Sequence, residues 1–512
     1  MRRRTFLSTL AVAVSAFSLS SAVSSGDALA QDKDTLNVVQ AAVVNMLEPD
    51  FESARPSLRI SSEIVESITK YVWDGKDYKL QPSLAEKWEQ VGDHTWRFHL
   101  RPGVKFTNGE PLTAEAVRFT KDVYMENKRS GPPLVGDLEI KVVDDLTFDV
   151  VTKVPNLPTV PAQLSFLYVY PPAYHAEVKT QGFGNAPIGT GPYMLDSWQK
   201  GVAITLKANP DYWGAKPKIQ KIVYRSIADD MTRVAELQAG SADVVADLSP
   251  SLAPLVEALP DAEVKRIPSQ RRVFFFVSAK HKPTDDVRVR QAIAYAIDRT
   301  AIVSSLLAQD AVPLKGVYLP GEIGYEASFE GVPYDPEKAK ALLAEAGFAN
   351  GVTIDLHFNQ DGTVMEPYVA QAVQAQLAKV GITANLDGAA QSIMIQKYGA
   401  GDSTGMSLAN YAPIYADSSF LVSRAYFASK SRYGGYLEAD DKQLDEMGAA
   451  ANLTTDAAFR QKTYAEIEKH VIVDKAYWVP LYQLVDSYGV SKKIDWNPRP
   501  DQNFDFGTAS VR

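Results

Sequence analysis

Apolar and polar positions repeat with two different periods along this chain, and the changes of period mark out its elements. Residues 36–44 form an apolar run ended by Asn45-Met46-Leu47-Glu48-Pro49, which predicts a buried strand followed by a turn. Between Ile60 and Val72, apolar residues fall at 60, 64, 65, 68, 71 and 72, a helical stripe. Trp96, Phe98 and Leu100 alternate with Arg97 and His99, so a strand with one buried face is expected there. Asn108-Gly109 signals a turn, and Thr113 is placed to cap a helix beginning at Ala114. Residues 137–152 alternate as a strand pair, 219–227 and 242–248 read as strands, and 231–240 as a helix with a C-terminal glycine. The five apolar residues Val273-Phe274-Phe275-Phe276-Val277 predict a strand buried on both faces. Helical spacing returns at Val289, Ala292, Ile293, Ala296 and Ile297. It recurs from Asp335-Pro336-Glu337 to Gly347, and at Val369, Val373, Leu377 and Val380 before Gly381.

The densest local signal is residues 187–214, PIGTGPYMLDSWQKGVAITLKANPDYWG. Gly189 and Gly191 flank Thr190, so the backbone there can reach positive φ or come close to another segment. Pro192 stiffens the entry to two short strands, 193–198 and 202–207, and Asn209-Pro210-Asp211 closes the unit as a turn.

A chain of 512 residues exceeds one hydrophobic core, so two or three domains are expected. Its net charge of −9 argues against a nucleic-acid partner. At the N-terminus, Arg2-Arg3-Arg4, a serine-diluted apolar run over 6–23 and Ala28-Leu29-Ala30 read as a signal peptide cleaved after Ala30. The same arginines fit a twin-arginine pattern, leaving the general and twin-arginine routes both open. There are no cysteines, which excludes disulfides, thiol chemistry and a lipid-modified cysteine. No later run is apolar enough to span a membrane, so a soluble periplasmic protein is expected.

Catalytic patterns are scarce. Gly401-Asp402-Ser403-Thr404-Gly405 matches G-x-S-x-G, but a helical pattern precedes it and a strand pattern follows, the reverse of a nucleophile elbow. The six histidines form no H-E-x-x-H, so no metal is expected, and no phosphate-binding loop appears. Recognition is better represented. Seven aromatics lie between Tyr411 and Tyr436: Tyr411, Tyr415, Phe420, Tyr426, Phe427, Tyr433 and Tyr436. Asn410, Tyr411 and Tyr415 follow a predicted strand, where α/β proteins place ligand loops. Arg271-Arg272 precede the buried run, and strand alternation sends them to opposite faces. Arg272 is the expected carboxylate anchor, through a bidentate fork. Asn45, at the end of the first strand, completes the candidate ligand set with Asp417, which either meets a ligand cation or caps a following helix.

Several of these blocks resemble family 5 extracellular solute-binding proteins, the peptide-binding class that feeds ABC importers. They are GTGPY…NPDYW at 189–213, PSLAEKW…WRFHLRPGVKFTNGEPLTAEA at 82–116, and VRVRQAIAYAIDRTAIV at 287–303. The resemblance implies an α/β, two-lobed periplasmic binding protein-like fold of class II, large type, with a ligand cleft between lobes. Lobe I would hold 31–268 and 485–512, with an extra subdomain at about 72–186, and lobe II would hold 269–484. It also implies a non-enzymatic, cofactor-free monomer that closes on a peptide or peptide-like carboxylated molecule, opine- or glutathione-like, and delivers it to membrane permease subunits. An oligosaccharide ligand, a sensory role and a secreted hydrolase are the alternatives. In the family, an Asp near this point often holds the α-amino group of a bound peptide. Here Pro413 and Ala416 interrupt the acidic pattern and leave Asp417 alone.

Overall fold

The computed structural model describes residues 34–49, 55–126, 135–136, 138–360, 365–400, 404–413, 415–425 and 441–512. The export segment, Ser403, and the aromatics Tyr426, Phe427, Tyr433 and Tyr436 lie outside the described residues. Among those described, an eleven-stranded mixed sheet forms the backbone of the fold. Its path runs Ile382–Ala389, Val352–Asn359, Met406–Tyr411, Ala262–Val277, Trp478–Ser491, Val244–Val245, Thr35–Gln40, Lys221–Ser226, Ala203–Ala208 and Tyr193–Gln199. A short strand, Ala311–Pro313, pairs off that path with Trp478–Ser491.

Two strands in the middle of that order are long, Ala262–Val277 and Trp478–Ser491. They are antiparallel over nearly their whole length, with a register break between Pro268 and Arg272. Pro268 has no N–H to donate. Beside it, side chains replace the ladder: Ser269 Oγ donates to the Leu484 carbonyl at 3.0 Å, and Gln483 Nε2 donates to the Ser269 carbonyl at 2.7 Å. On one side of this break a buried core draws on residues from Leu36 to Ile267 and from Tyr488 to Ala509. On the other side a second core draws only on residues from Val273 to Leu484. The phenylalanine run is buried as its composition predicts, with Phe274 stacked on Trp478 at 4.4 Å between centroids. Helices pack on the flanks. Asp286, Asp298 and Asp335 each cap one by accepting a backbone N–H; Gly347 ends the helix that Asp335 starts, and Gly381 follows the helix Glu366–Ala378, both at positive φ. A separate four-stranded sheet, built from Ala85–Gly92, Thr95–Leu100, Thr147–Thr152 and Leu138–Asp144, extends the first core.

Two expectations change. The apolar stripe at 60–72 is not one helix: a helix Arg55–Ser61 ends in a turn, and the strand Thr69–Trp73 follows. Ile60, Ile64, Val65 and Ile68 are all fully buried, so the pattern reports burial correctly and conformation wrongly. The backbone there is claimed by the glycine segment. Gly191 N–H donates to Ile64 O at 2.9 Å and Tyr193 N–H to Glu63 O at 3.0 Å. A Cβ on Gly189 would lie 2.1 Å from Ile64 O, so close approach, and not positive φ, is what requires glycine there. The strand expected at 242–248 shrinks to Val244–Val245, because Asp247 turns at φ +55 and offers its carboxylate to Arg59.

Candidate functional site

The register break presents two adjacent arginines to opposite sides of one strand. Arg272 is fully buried, and its fork is already filled: Nη1 and Nη2 donate to Glu322 Oε2 and Oε1 at 2.8 and 2.6 Å. Nη1 also donates to the Val317 carbonyl, and Glu322 Oε2 accepts the Leu319 N–H at 3.0 Å. The expectation that Arg272 offers its fork to a ligand is therefore corrected, since an internal carboxylate occupies it. Arg271 is the arginine that faces open space. Its side chain is 31% exposed, pairs at one nitrogen with Asp486 at 2.8 Å, and leaves Nε without a hydrogen-bond partner.

That open space is a cavity of about 500 Å³ beside the long strands. Arg55, Arg59 and Asp247 line it from the first core, Leu306, Leu307 and Met365 from the second. Arg59 closes one wall through a bidentate pair with Asp247, at 3.0 and 2.8 Å. Other groups stay unspent. Asp486 Oδ2 and Ser487 Oγ are buried without a partner, and Arg55 makes no ion pair among the described residues. Burial holds the Asp486 carboxyl above the usual carboxylate range, against the opposing pull of Arg271 and Gln502. A cavity of this size with both signs of charge and unfilled acceptors suits a small zwitterionic or carboxylated solute.

Elsewhere the two cores meet through rings. Tyr71 and Tyr78 stack at 4.9 Å and share a cluster with Tyr415 and Phe420, with Tyr411 and Phe166 packed against it. Tyr71 is electrostatically close to Asp417, Tyr415 and Glu322, so first-core and second-core groups are interleaved there. Tyr411 pairs in register with Arg272, and Asn410, exposed, with Val273. Tyr415 is 8% exposed. Asp417 accepts from Arg460 Nη2 at both of its oxygens, at 2.9 and 3.0 Å, and from the Ser419 N–H at the start of the helix Ser418–Ala425. Of its two readings, the structure shows the capping one. Asn45 is exposed beside the hairpin at the outer edge of the sheet, its carbonyl accepting from Lys200 at 2.9 Å, away from the other candidates. Sequence reasoning missed Arg55 and Asp486 and ranked Arg271 below its neighbour. The doubled arginine was the available signal. The helix Gln391–Ala400 and the strand Met406–Tyr411 frame the G-x-S-x-G segment in the order opposite to an elbow. Among the described residues, no group of His, Cys, Asp or Glu is arranged to hold a metal, and no helix is long and apolar enough to cross a membrane.

Residues 79–433 match the model of bacterial extracellular solute-binding proteins, family 5, middle. The glutathione-binding protein GsiB of Escherichia coli K12 is 30% identical over 473 residues, covering 87% of this chain and 90% of that protein. The structure of HbpA2 from Haemophilus parasuis superposes with a TM-score of 0.85 at 22% identity, covering 93% of this chain and all of that one. The protein AgaA from Agrobacterium tumefaciens R10, solved with agropinic acid, gives 0.73 at 25% identity, covering 93% and 99%.

Proposed function

The chain belongs to the bacterial extracellular solute-binding proteins of family 5, and from that premise we propose that it captures a small carboxylated, peptide-like solute in the periplasm. Capture proceeds by hinge closure of two bodies, residues 31–268 with 485–512 and residues 269–484, about the two long strands. The solute is released unchanged to membrane permease subunits, and the signal peptide is lost after Ala30. The carrying observation is the charged cavity beside the register break, where Arg271 and Arg55 present cationic groups and Asp486 an unpartnered oxygen. The carboxylate of the solute pairs with Arg271 and Arg55, and its polar remainder meets Asp486 and Ser487. Tyr411, Tyr415 and Asn410 act at the rim, where rings from both cores meet. The similarity to proteins named for glutathione binding and to a structure holding agropinic acid supports a carboxylated solute of this size.

Native mass spectrometry of protein purified from its host, followed by calorimetry and solution scattering with the solute so found, tests the proposal. A carboxylated small molecule bound one to one, with a smaller radius of gyration on binding, is the expected result. A neutral oligosaccharide, or turnover of the bound molecule, would overturn it.

A further inference from the structure

Inside the first core lies a smaller cavity of about 130 Å³, separate in its lining from the charged one. Four carboxylates line it, Glu63, Glu66, Asp501 and Asp505, against two cations, Lys70 and Arg499. Three of the carboxylates are accounted for. Glu66 accepts from Thr190, Tyr212 and Trp213 at 2.7–2.9 Å. Asp501 accepts from Tyr78 at 2.7 Å and from Arg499 at 2.8 and 3.1 Å. Asp505 is half-exposed and within 4.0 Å of Arg499.

Glu63 is different. It is 2% exposed, its Oε1 accepts the Phe506 N–H at 2.9 Å, and its second oxygen has no hydrogen-bond partner among the described residues. Two more acceptors on the same lining, Ser62 Oγ and Asn503 Oδ1, are buried and unpartnered. A buried carboxylate with an unused oxygen is costly unless a donor or cation reaches it. Tyr71, Tyr78 and Tyr168 complete the walls, and a carboxylate among aromatic rings is the environment that favours an organic ammonium. Tyr71 also belongs to the aromatic cluster where the two cores meet, so the cavity borders that junction.

We propose that this cavity is a subsite for the primary ammonium group of the solute, with Glu63 as its counter-ion and Ser62 and Asn503 as acceptors. The proposal rests on the reading of a peptide-like solute and adds to it: Arg271 and Arg55 take the carboxylate end, and Glu63 takes the amine end. Burial and the nearby Asp505 charge push the Glu63 carboxyl up to about 8, against the pull of Arg499 and Lys70, as for a carboxylate left without its cation. The volume admits an amine and a few carbons, given about 30 Å³ for each water displaced.

Saturation-transfer NMR with methylammonium chloride as the probe, in potassium chloride at constant ionic strength, tests the subsite without knowledge of the solute. Wild-type protein is expected to give a saturable methylammonium signal. Glu63→Gln, which keeps an oxygen for the Phe506 N–H, is expected to weaken it by about tenfold, while the exposed-surface control Glu139→Gln leaves it unchanged. Absence of a saturable signal from wild-type protein overturns the proposal, and that measurement needs no variant to fold. An equal signal from Glu63→Gln overturns it as well. Methylammonium binding by a protein that ignores carboxylated solutes would leave the subsite supported and remove the reading of the larger cavity.

Discussion

Arg271 and Arg272 are neighbours on one strand, yet the two sides they face are built on different principles. On the Arg272 side the charges are answered at close range, although Arg272 Nε, like Arg271 Nε, has no hydrogen-bond partner: Glu322 fills the fork at Nη1 and Nη2, and Glu468 Oε1 accepts the Val317 and Tyr318 N–H groups at 2.7 and 2.9 Å. On the Arg271 side the pairing is partial, and Asp486 Oδ2, Ser487 Oγ and Arg271 Nε remain without partners around a cavity. The same residue type is thus a structural member on one face and a candidate for binding on the other. What separates the two roles is whether the neighbouring carboxylate is exhausted.

The largest effect expected from this contrast is on stability. Arg272→Ala leaves Glu322 buried beside Glu468 without a cation, and loss of one partner of such a pair costs about 3–5 kcal/mol. Chemical denaturation of the unliganded variant should show this loss. The double variant Arg272→Met with Glu322→Met should recover most of it, because two apolar side chains need no counter-charge. A stable Arg272→Ala protein would break the comparison at its firmest point.

Arg271→Ala should behave differently. Arg271 is itself 31% exposed and Gln502 Nε2 still donates to Asp486 Oδ1 at 2.8 Å, so unliganded stability should fall by about 1–2 kcal/mol, less than for Arg272→Ala. Affinity for a carboxylated solute should fall by roughly 2 kcal/mol, near thirtyfold in Kd, when closure desolvates the contact. Calorimetry with the co-purified solute measures it. Equal affinity in the two proteins would place the carboxylate elsewhere in the cavity, and Arg55→Ala would then be the variant to compare.

Why the sequence favoured the wrong arginine is a matter of range. Alternation shows that Arg271 and Arg272 diverge, and the structure agrees. Which face is dry depends on Glu322, 50 residues away, and on Asp486, 215 residues away. It depends also on the register break, which arises where Pro268 meets a strand from the far end of the chain. None of these is a local property. The elements whose cause is local were legible: the phenylalanine strand, the helix start at Asp335, and the glycines at 189 and 191. Residues 60–72 failed for the reason the arginines did, since the carbonyls of Glu63 and Ile64 accept from a segment more than a hundred residues on. The cavity lined by Glu63 could not be read at all, because an unused oxygen is visible only when every nearby donor has been placed.

The smallest expected effect is a pH dependence that belongs to the satisfied side. Burial lifts the Glu468 carboxyl to about 7, with the Glu322 charge adding to the rise and Arg272 and the two backbone N–H groups opposing it. A carboxyl whose pKa is higher in the folded protein than in the unfolded chain holds its proton more tightly when folded. Its contribution to stability is therefore complete below the ordinary value near 4.5 and is lost as pH rises through about 7. Glu366, also lifted by burial to about 7, and Glu63 act in the same direction, so unliganded stability should decline between pH 5 and 8. Glu468→Gln keeps an oxygen for the Val317 and Tyr318 N–H groups but cannot ionise, and should remove on the order of 1–2 kcal/mol of that decline. Denaturation midpoints of wild type and variant at the two pH values measure the difference. Parallel curves would mean that Arg272 keeps Glu468 ionised throughout, and the Arg272 side would then hold two carboxylates on one cation.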